Sequence, residues 1–161
     1  QKVSYTLNFG FRSFENIVRN ARFRAPAAGA LLIGSPVAID SANAGRLKQA
    51  GAAEDPGAGK GVLVYEHIQV KGVDPLLSVP TDFTTVPVGE YAQIVSGSGV
   101  KVWLKGDLLD VAVDPAALSP GDGLVPNASG QFAEVGVDEI SWLIVEQSNA
   151  STGVVEARFT F

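Results

Sequence analysis

The final eight residues of the chain, positions 154–161, read VVEARFTF and give the clearest indication of the fold. Apolar residues occupy positions 155, 157, 159 and 161, where they alternate with Glu156, Arg158 and Thr160. Successive side chains of an extended chain point to opposite faces, so this stretch has one apolar face and one polar face. The pattern predicts a half-buried β-strand at the end of the sequence.

Short apolar runs of the same kind recur along the chain, with Gly and Pro residues between them. The predicted strands cover residues 30–33, 37–39, 62–70, 91–95, 100–104, 108–113, 140–146 and 154–161. The sequence SGSG at 96–99 predicts a hairpin, and brief helical turns are predicted at 46–50 and 114–118. These about eight short strands predict an all-β fold: a small β-barrel or sandwich with an extended N-terminal arm and minor helical turns.

Composition excludes several classes of function. The chain has 161 residues and a mass of 16.7 kDa, which suits one domain with its own core. It contains no Cys and one His, His67, so one chain forms no disulfide, no thiolate metal site and no multi-histidine site. No apolar run approaches the roughly 20 residues of a membrane span. We therefore expect neither a metal nor a membrane partner.

Charge divides the chain into two parts. Residues 1–24 contain five basic residues and one acidic residue, whereas residues 25–161 contain seven basic and sixteen acidic residues. The net charges are therefore +4 and −9, and they predict an N-terminal arm over 1–24 and a β-domain over 25–161. The acidic domain would repel a phosphate backbone, so nucleic acid is not an expected partner.

The arm begins with an alternating pattern that predicts a strand, and aromatic and basic residues follow it. A strand that precedes the domain has an open edge, and open edges take up strands of other chains. The same features fit an arm that lies on its own domain or on a neighbouring copy. The residues predicted to contact a partner are Val3, Tyr5, Leu7, Phe9, Phe11, Arg12, Phe14, Arg19, Arg22 and Arg24.

The sequence GAGKG at 57–61 is similar to part of a phosphate-binding loop but lacks its defining residues. Glu54 occupies the position of the first Gly of such a loop, and Gly61 occupies the position of the Ser or Thr that holds magnesium. We therefore interpret this stretch as a flexible loop.

No other motif predicts catalysis. His67 lies inside a predicted strand, and it is interpreted as a structural or surface residue. Asp107, Asp110, Asp114 and Asp122 are close in sequence, but their spacing matches no calcium-binding loop. Trp103 and Trp142 are assigned to packing in the core or at a subunit interface. We expect no catalytic residue and no cofactor.

Three stretches of the β-domain carry a resemblance to a known family. They are AGA at 28–30 with GSPVAID at 34–40, VG at 88–89 with GVKVWL at 99–104, and LSPGD at 118–122 with LVPNASGQF at 124–132. Over most of residues 25–161 the chain resembles the head decoration (capsid cement) proteins of tailed bacteriophages.

This resemblance implies a structural, non-enzymatic virion protein. Such proteins are assembled in the cytoplasm of the bacterial host, bind the outer surface of the capsid, commonly as trimers, and stabilise the shell against the pressure of packaged DNA. An N-terminal segment commonly reaches onto the major capsid protein. The resemblance thus implies the major capsid protein and further copies of this chain as partners.

A second interpretation is a β-sandwich tail or fibre component, or a glycan-binding module of a virion that uses Trp103 or another exposed aromatic residue. An enzyme is the weakest interpretation, because it would need a site centred on His67 or on paired carboxylates.

Overall fold

A computed structural model of the chain describes residues 9–12, 23–43, 45–65 and 85–161. Within these ranges the regular secondary structure is β-strand, apart from one short 3-10 helix at Gly106–Leu108. The strands are β1 Phe9–Arg12, β2 Phe23–Pro26, β3 Leu31–Leu32, β4 Pro36–Asp40, β5 Arg46–Gln49, β6 Lys60–Tyr65, β7 Thr85–Val86, β8 Tyr91–Val95, β9 Lys101–Leu104, β10 Gly123–Pro126, β11 Phe132–Glu134, β12 Leu143–Asn149 and β13 Val154–Phe159. The predicted all-β class is confirmed.

The larger sheet has six antiparallel strands in the order β1-β9-β13-β12-β10-β11. Strand β13, the last in the sequence, behaves as the alternation predicts: Val155, Ala157 and Phe159 are buried, whereas Glu156 and Arg158 are exposed. After β9 the chain passes along the outer side of β11, where Leu109 forms a single parallel bridge with Phe132. The outer side of β11 is therefore partly covered by the chain itself.

The second sheet has five antiparallel strands in the order β2-β8-β6-β4-β5. Its two outer strands meet just beyond β2, where Ala27 bridges Leu47 and the Ala28 N–H donates to the Leu47 carbonyl at 2.8 Å. The sheet thus curls back on itself. A two-stranded sheet, β3 with β7, completes the fold.

Two clusters of apolar side chains form the interior. One fills the curled five-stranded sheet, with Leu47, Leu63 and Ile94 fully buried. The other lies under the six-stranded sheet around Phe132 and Trp142, and it includes Val62 and Val95 from the second sheet. Because strands of both sheets contribute to this larger cluster, the two sheets share a core.

The loop between β5 and β6 fastens the two sheets together. The Ala53 N–H donates to the Pro126 carbonyl at 2.8 Å, and the Trp142 Nε1–H donates to the Glu54 carbonyl at 2.6 Å. Gln49 Nε2, at the end of β5, donates to the Ala128 carbonyl at 2.8 Å. Because Trp142 is fully buried, its bond to Glu54 gives the indole N–H a partner that water would not supply.

Some local predictions are wrong. Residues 46–49 form β5, paired with β4, and not a helical turn. The 96–99 segment is no hairpin, because β8 and β9 belong to different sheets and this turn carries the chain from one to the other. Residues 108–113 are no strand, since after the 3-10 helix they make a single bridge and then turn. The turn at 114–118 is confirmed by bonds of the Ala117 and Leu118 N–H groups to the Asp114 carbonyl.

None of the helical structure within the described ranges is long and apolar enough to cross a membrane.

Candidate functional site

The outer face of the six-stranded sheet presents one tryptophan among charged residues. In β9, the buried residues Val102 and Leu104 alternate with Lys101 and Trp103, which are partly exposed. The strand register places Lys101 opposite Arg158, and Trp103 opposite Glu156. Because residues opposite each other share a face, Trp103 lies on the solvent side of the sheet between neighbouring strands.

An ion cluster ties three strands together beside this tryptophan. The Glu146 carboxylate of β12 lies 2.7 Å from Lys101 Nζ and 3.4 Å from Arg158 Nε. The three side chains are 31% to 54% exposed, and ion pairs this exposed contribute at most about 1 kcal/mol each. The cluster therefore orients side chains on the face more than it stabilises the fold.

The indole of Trp103 is unengaged within the described part of the chain. No hydrogen bond there involves its Nε1–H, and the ring–ring contacts there join other aromatic residues, Phe132, Trp142, Phe159 and Phe161. Tryptophan combines a large apolar surface with one hydrogen-bond donor, and this combination is enriched where proteins meet partners. Trp103 thus has apolar surface and a hydrogen-bond donor that no described residue engages.

Strand β1 is the open end of the same sheet. It pairs with β9 on one side, and no strand of the described ranges pairs with its other side. The opposite end of the sheet is partly covered at β11, and the five-stranded sheet curls back on itself. An unpaired strand edge exposes backbone N–H and C=O groups that can pair with another chain.

The structure places four of the predicted partner-contact residues. Phe9, Phe11 and Arg12 belong to β1, opposite Leu104, Val102 and Lys101, and Arg24 belongs to β2, opposite Gln93. At 9–12 and 23–26, therefore, the predicted arm is part of the chain's own two large sheets. The remaining predicted residues, Val3, Tyr5, Leu7, Phe14, Arg19 and Arg22, lie outside the described residues, as does His67.

Three of the four aspartates singled out in the sequence hold turns, and the fourth, Asp107, lies in the 3-10 helix. Asp110 accepts hydrogen bonds from the Ala112 N–H at 2.9 Å and from Asn127 Nδ2 at 2.8 Å, and these bonds lower the pKa of its carboxyl group. Asp114 accepts from the Ala116 N–H, and Asp122 accepts from the Ser119 N–H. Across the described ranges, no group of three or more His, Cys, Asp and Glu residues is arranged to hold a metal ion.

The glycine-rich stretch at 57–61 leads directly into a strand. Lys60 is the first residue of β6, and its ammonium group donates to the Asp55 carbonyl at 2.8 Å and pairs with the Glu54 carboxylate at 3.1 Å. This lysine therefore fixes the loop that joins the two sheets.

Sequence reasoning did not single out the pairing of β1 with β9, which creates the candidate surface. The alternation in KVWL at 101–104 was the available signal that Trp103 faces away from the core. The position of Gly10 opposite Trp103 follows only from the register of two strands about 90 residues apart, and no local pattern encodes it.

Comparisons with known proteins identify no relative: no protein-family model matches the chain, and the search of curated proteins found no match.

Proposed function

We propose that this chain is a structural, non-enzymatic protein that binds the outer surface of a tailed-phage capsid and stabilises the shell. The observation that carries this proposal is the edge of β1 that no strand of the described ranges pairs with. In the sequence, β1 directly follows an alternating segment, residues 3–8. The resemblance of most of residues 25–161 to head decoration proteins supplies the class of partner, the major capsid protein.

Strand addition is the proposed mechanism of attachment. Backbone hydrogen bonds would provide affinity, and the aromatic side chains of residues 1–14 would provide specificity. The basic residues of the arm would steer the chain toward acidic groups on the shell and raise the association rate more than the affinity. With many copies on one particle, modest single contacts would suffice for stable coverage.

The proposal includes association of the chain with itself, as a homotrimer on the particle. In that arrangement each copy would supply one arm, which would contact the major capsid protein or a neighbouring copy. The two contacts would reinforce each other, because a copy held by its neighbours rebinds at a high effective concentration.

The experiment measures occupancy on purified capsids of the parent phage that lack this protein. Full-length chain and a variant lacking residues 1–8 are added over a range of concentrations, and bound protein is quantified after the particles are sedimented. The variant retains β1 and every other described strand, and its unfolding midpoint is measured beside that of the wild type. We expect its half-saturating concentration to rise at least about tenfold. Failure of the full-length chain to bind these capsids would contradict the proposal.

A glycan-binding module is the second candidate function. The indole of Trp103 favours it, because it is partly exposed and makes no hydrogen bond or ring contact within the described ranges. Stacking of a sugar on an indole would change the fluorescence of Trp103, while Trp142 is fully buried and would report little change. The wild-type chain and Trp103→Ala are compared on a glycan array. If no glycan binds the wild type and fails to bind Trp103→Ala, this candidate is eliminated.

A further inference from the structure

Strand β5 has a basic outer face. Arg46 and Lys48 are exposed, whereas Leu47 between them is fully buried, so both cationic side chains point away from the core. Asp40 is the register partner of Arg46, but its carboxylate accepts a hydrogen bond from the Ala42 N–H at 3.1 Å. Neither cation makes an ion pair within the described ranges. We call Arg46 and Lys48 the basic face of β5.

The loop that follows β11 carries exposed charges of the opposite sign. Glu134, Asp138 and Glu139 are exposed there, and no ion pair of the described ranges involves them. No cation is near them in sequence, because residues 106–145 contain seven acidic residues and no Lys, Arg or His. We call residues 134–140 the acidic tip.

Two apolar side chains accompany the charges of the acidic tip. Val137 is 92% exposed and Ile140 is 53% exposed. At this exposure Val137 adds almost no buried apolar area to the fold, and Ile140 adds only part of its own. Both side chains are therefore available to a partner, in a loop whose charges would form the rim of the contact.

The backbone closes the acidic tip at a cost. The Glu139 carboxylate accepts from the Gly136 N–H at 2.6 Å, and the Glu139 N–H donates to the Gly136 carbonyl at 3.4 Å. Between them, Asp138 has a φ of 62°, in the left-handed region that favours glycine. Glycine would suit this backbone better than aspartate, so the local fold does not account for a carboxylate at position 138.

The basic face and the acidic tip are complementary surfaces of one chain. Strand β5 ends the five-stranded sheet and β11 ends the six-stranded sheet, and no described ion pair joins the two surfaces within a copy. The aliphatic stems of Arg46 and Lys48 can cover Val137 and Ile140 while their charged ends reach the carboxylates of the tip. A second copy of the chain thus supplies each surface with the opposite charge that it lacks.

We propose that copies of this chain associate head to tail, with the acidic tip of one copy against the basic face of β5 of the next. The contact joins two different surfaces, so each copy keeps one of each for a further copy. When the rotation between copies closes, the result is a ring, as in the proposed homotrimer. This inference rests on the proposed function for self-association, and it adds the two surfaces that meet.

A second copy fits these surfaces better than other partners. A metal ion is not favoured, because no group of three or more carboxylates in the described ranges is arranged to hold one. A basic surface of the capsid would match the acidic tip but would leave the cations of β5 unpaired. Tip variants that weaken capsid binding and leave self-association unchanged would indicate such a surface and would overturn the proposal.

The first experiment reverses the charges of each surface in the full-length chain. One variant carries Arg46→Glu and Lys48→Glu, and the other carries Glu134→Lys and Asp138→Lys. Glu139 is kept because its carboxylate closes the turn. Sedimentation velocity over a range of concentrations at low salt measures self-association, and the unfolding midpoint of each variant is measured beside that of the wild type. We expect each reversal to raise the dissociation constant at least about tenfold.

The chain that carries all four substitutions is the decisive variant. It has an acidic face and a basic tip, so its copies are again complementary, and we expect its dissociation constant to return to within about threefold of the wild-type value. A folding defect in either reversal would not be repaired in this way. A wild-type chain that stays monomeric at every concentration, or a four-substitution variant that associates no better than the single reversals, would overturn the proposal.

The second experiment separates contact from stability at the tip. Asp138→Gly should keep or raise the unfolding midpoint, because glycine suits the left-handed backbone, and it should weaken self-association at least about threefold. Val137→Ser should weaken self-association, whereas Val111→Ser, at a fully exposed valine in another turn, should not. Equal self-association of the two serine variants would overturn the assignment of the tip to the contact.

The outcomes separate the inference from the proposed function. If the reversals abolish self-association and the four-substitution variant restores it, while the wild-type chain fails to bind capsids, the head-to-tail contact stands and the cement function is wrong. If the wild-type chain binds capsids and the reversals leave self-association unchanged, the cement function stands and the head-to-tail contact is wrong.

Discussion

The two tryptophans of this chain occupy opposite kinds of environment. Trp142 is fully buried, donates a 2.6 Å hydrogen bond to the Glu54 carbonyl, and lies edge-on to the rings of Phe132 and Phe161 at 6.5 and 5.4 Å. Trp103 is partly exposed, and its indole has no such partner in the described part of the chain. Burial and satisfied polar groups make the first a structural residue. The second retains apolar surface and a donor for a partner.

The largest expected effect is at the buried tryptophan. Trp142→Ala should lower the free energy of unfolding by about 3–5 kcal/mol, because it leaves a cavity where the sheets meet and an unpaired Glu54 carbonyl. Trp103→Ala should change it by less than about 1 kcal/mol. Chemical denaturation of both variants measures the contrast. Similar losses at the two positions would mean that Trp103 is also a structural residue.

A second contrast separates two glycines in the same way. A Cβ atom at Gly61 would lie 2.5 Å from the Val95 carbonyl oxygen and 2.6 Å from Ile94 Cγ2, so Gly61→Ala should cost about 1–3 kcal/mol. Gly57 has open space around it, and Gly57→Ala should be close to neutral. Thermal unfolding of the two variants checks this prediction. A neutral Gly61→Ala would show that β6 and β8 are packed less tightly than described.

Stability should also depend on pH through Asp110. Hydrogen bonds from the Ala112 N–H and Asn127 Nδ2 lower the pKa of its carboxyl group from the ordinary value of 3.8. A carboxyl whose pKa is lower in the folded state stabilises the fold above its unfolded pKa, and this contribution disappears as pH falls through its folded pKa.

Asp110→Asn should therefore be less stable than wild type at pH 7, and the difference in unfolding midpoint should shrink as pH falls below about 4. Glu156→Gln, at an exposed strand position, is the matched carboxylate-to-amide control, and its difference from wild type should stay small throughout. If the difference in unfolding midpoint between Asp110→Asn and wild type grows as pH falls, the pKa of Asp110 is not lowered in the folded state.

The smallest expected effect is in the ion cluster beside Trp103. Glu146→Gln removes the carboxylate shared by Lys101 and Arg158 and should cost at most about 1 kcal/mol. The cost should decrease in high salt, which screens exposed charges. A loss of several kcal/mol that persists in high salt would place this face among the buried, structural regions of the molecule.

The sequence predicted the parts of the fold that local patterns encode. The alternation in VVEARFTF correctly assigned the buried and exposed faces of β13, and Asp114 followed by Pro115 correctly indicated a turn. Strand β5 was missed because Arg46, Lys48 and Gln49 are exposed and only Leu47 is buried, so the stretch lacks an apolar face. Residues 96–99 were mistaken for a hairpin because turn residues specify a reversal but not the sheet that the next strand joins.

The candidate surface was only partly predictable. The aromatic and basic residues before position 25 indicated that this region is involved in contacts, but they carried no information on which strands they pair with. Gly10 lies opposite Trp103 because of the long-range register between β1 and β9. The buried residues Val102 and Leu104 fix which face of β9 points to the core, but they do not identify the strand that pairs with it.

The most direct test of the account is a cryo-EM map of the parent phage head at a resolution that shows strands. The account predicts an extended segment of a neighbouring protein hydrogen-bonded to the edge of Phe9–Arg12 that no described strand pairs with. A map in which this chain occupies the capsid but that edge of β1 faces solvent would contradict it.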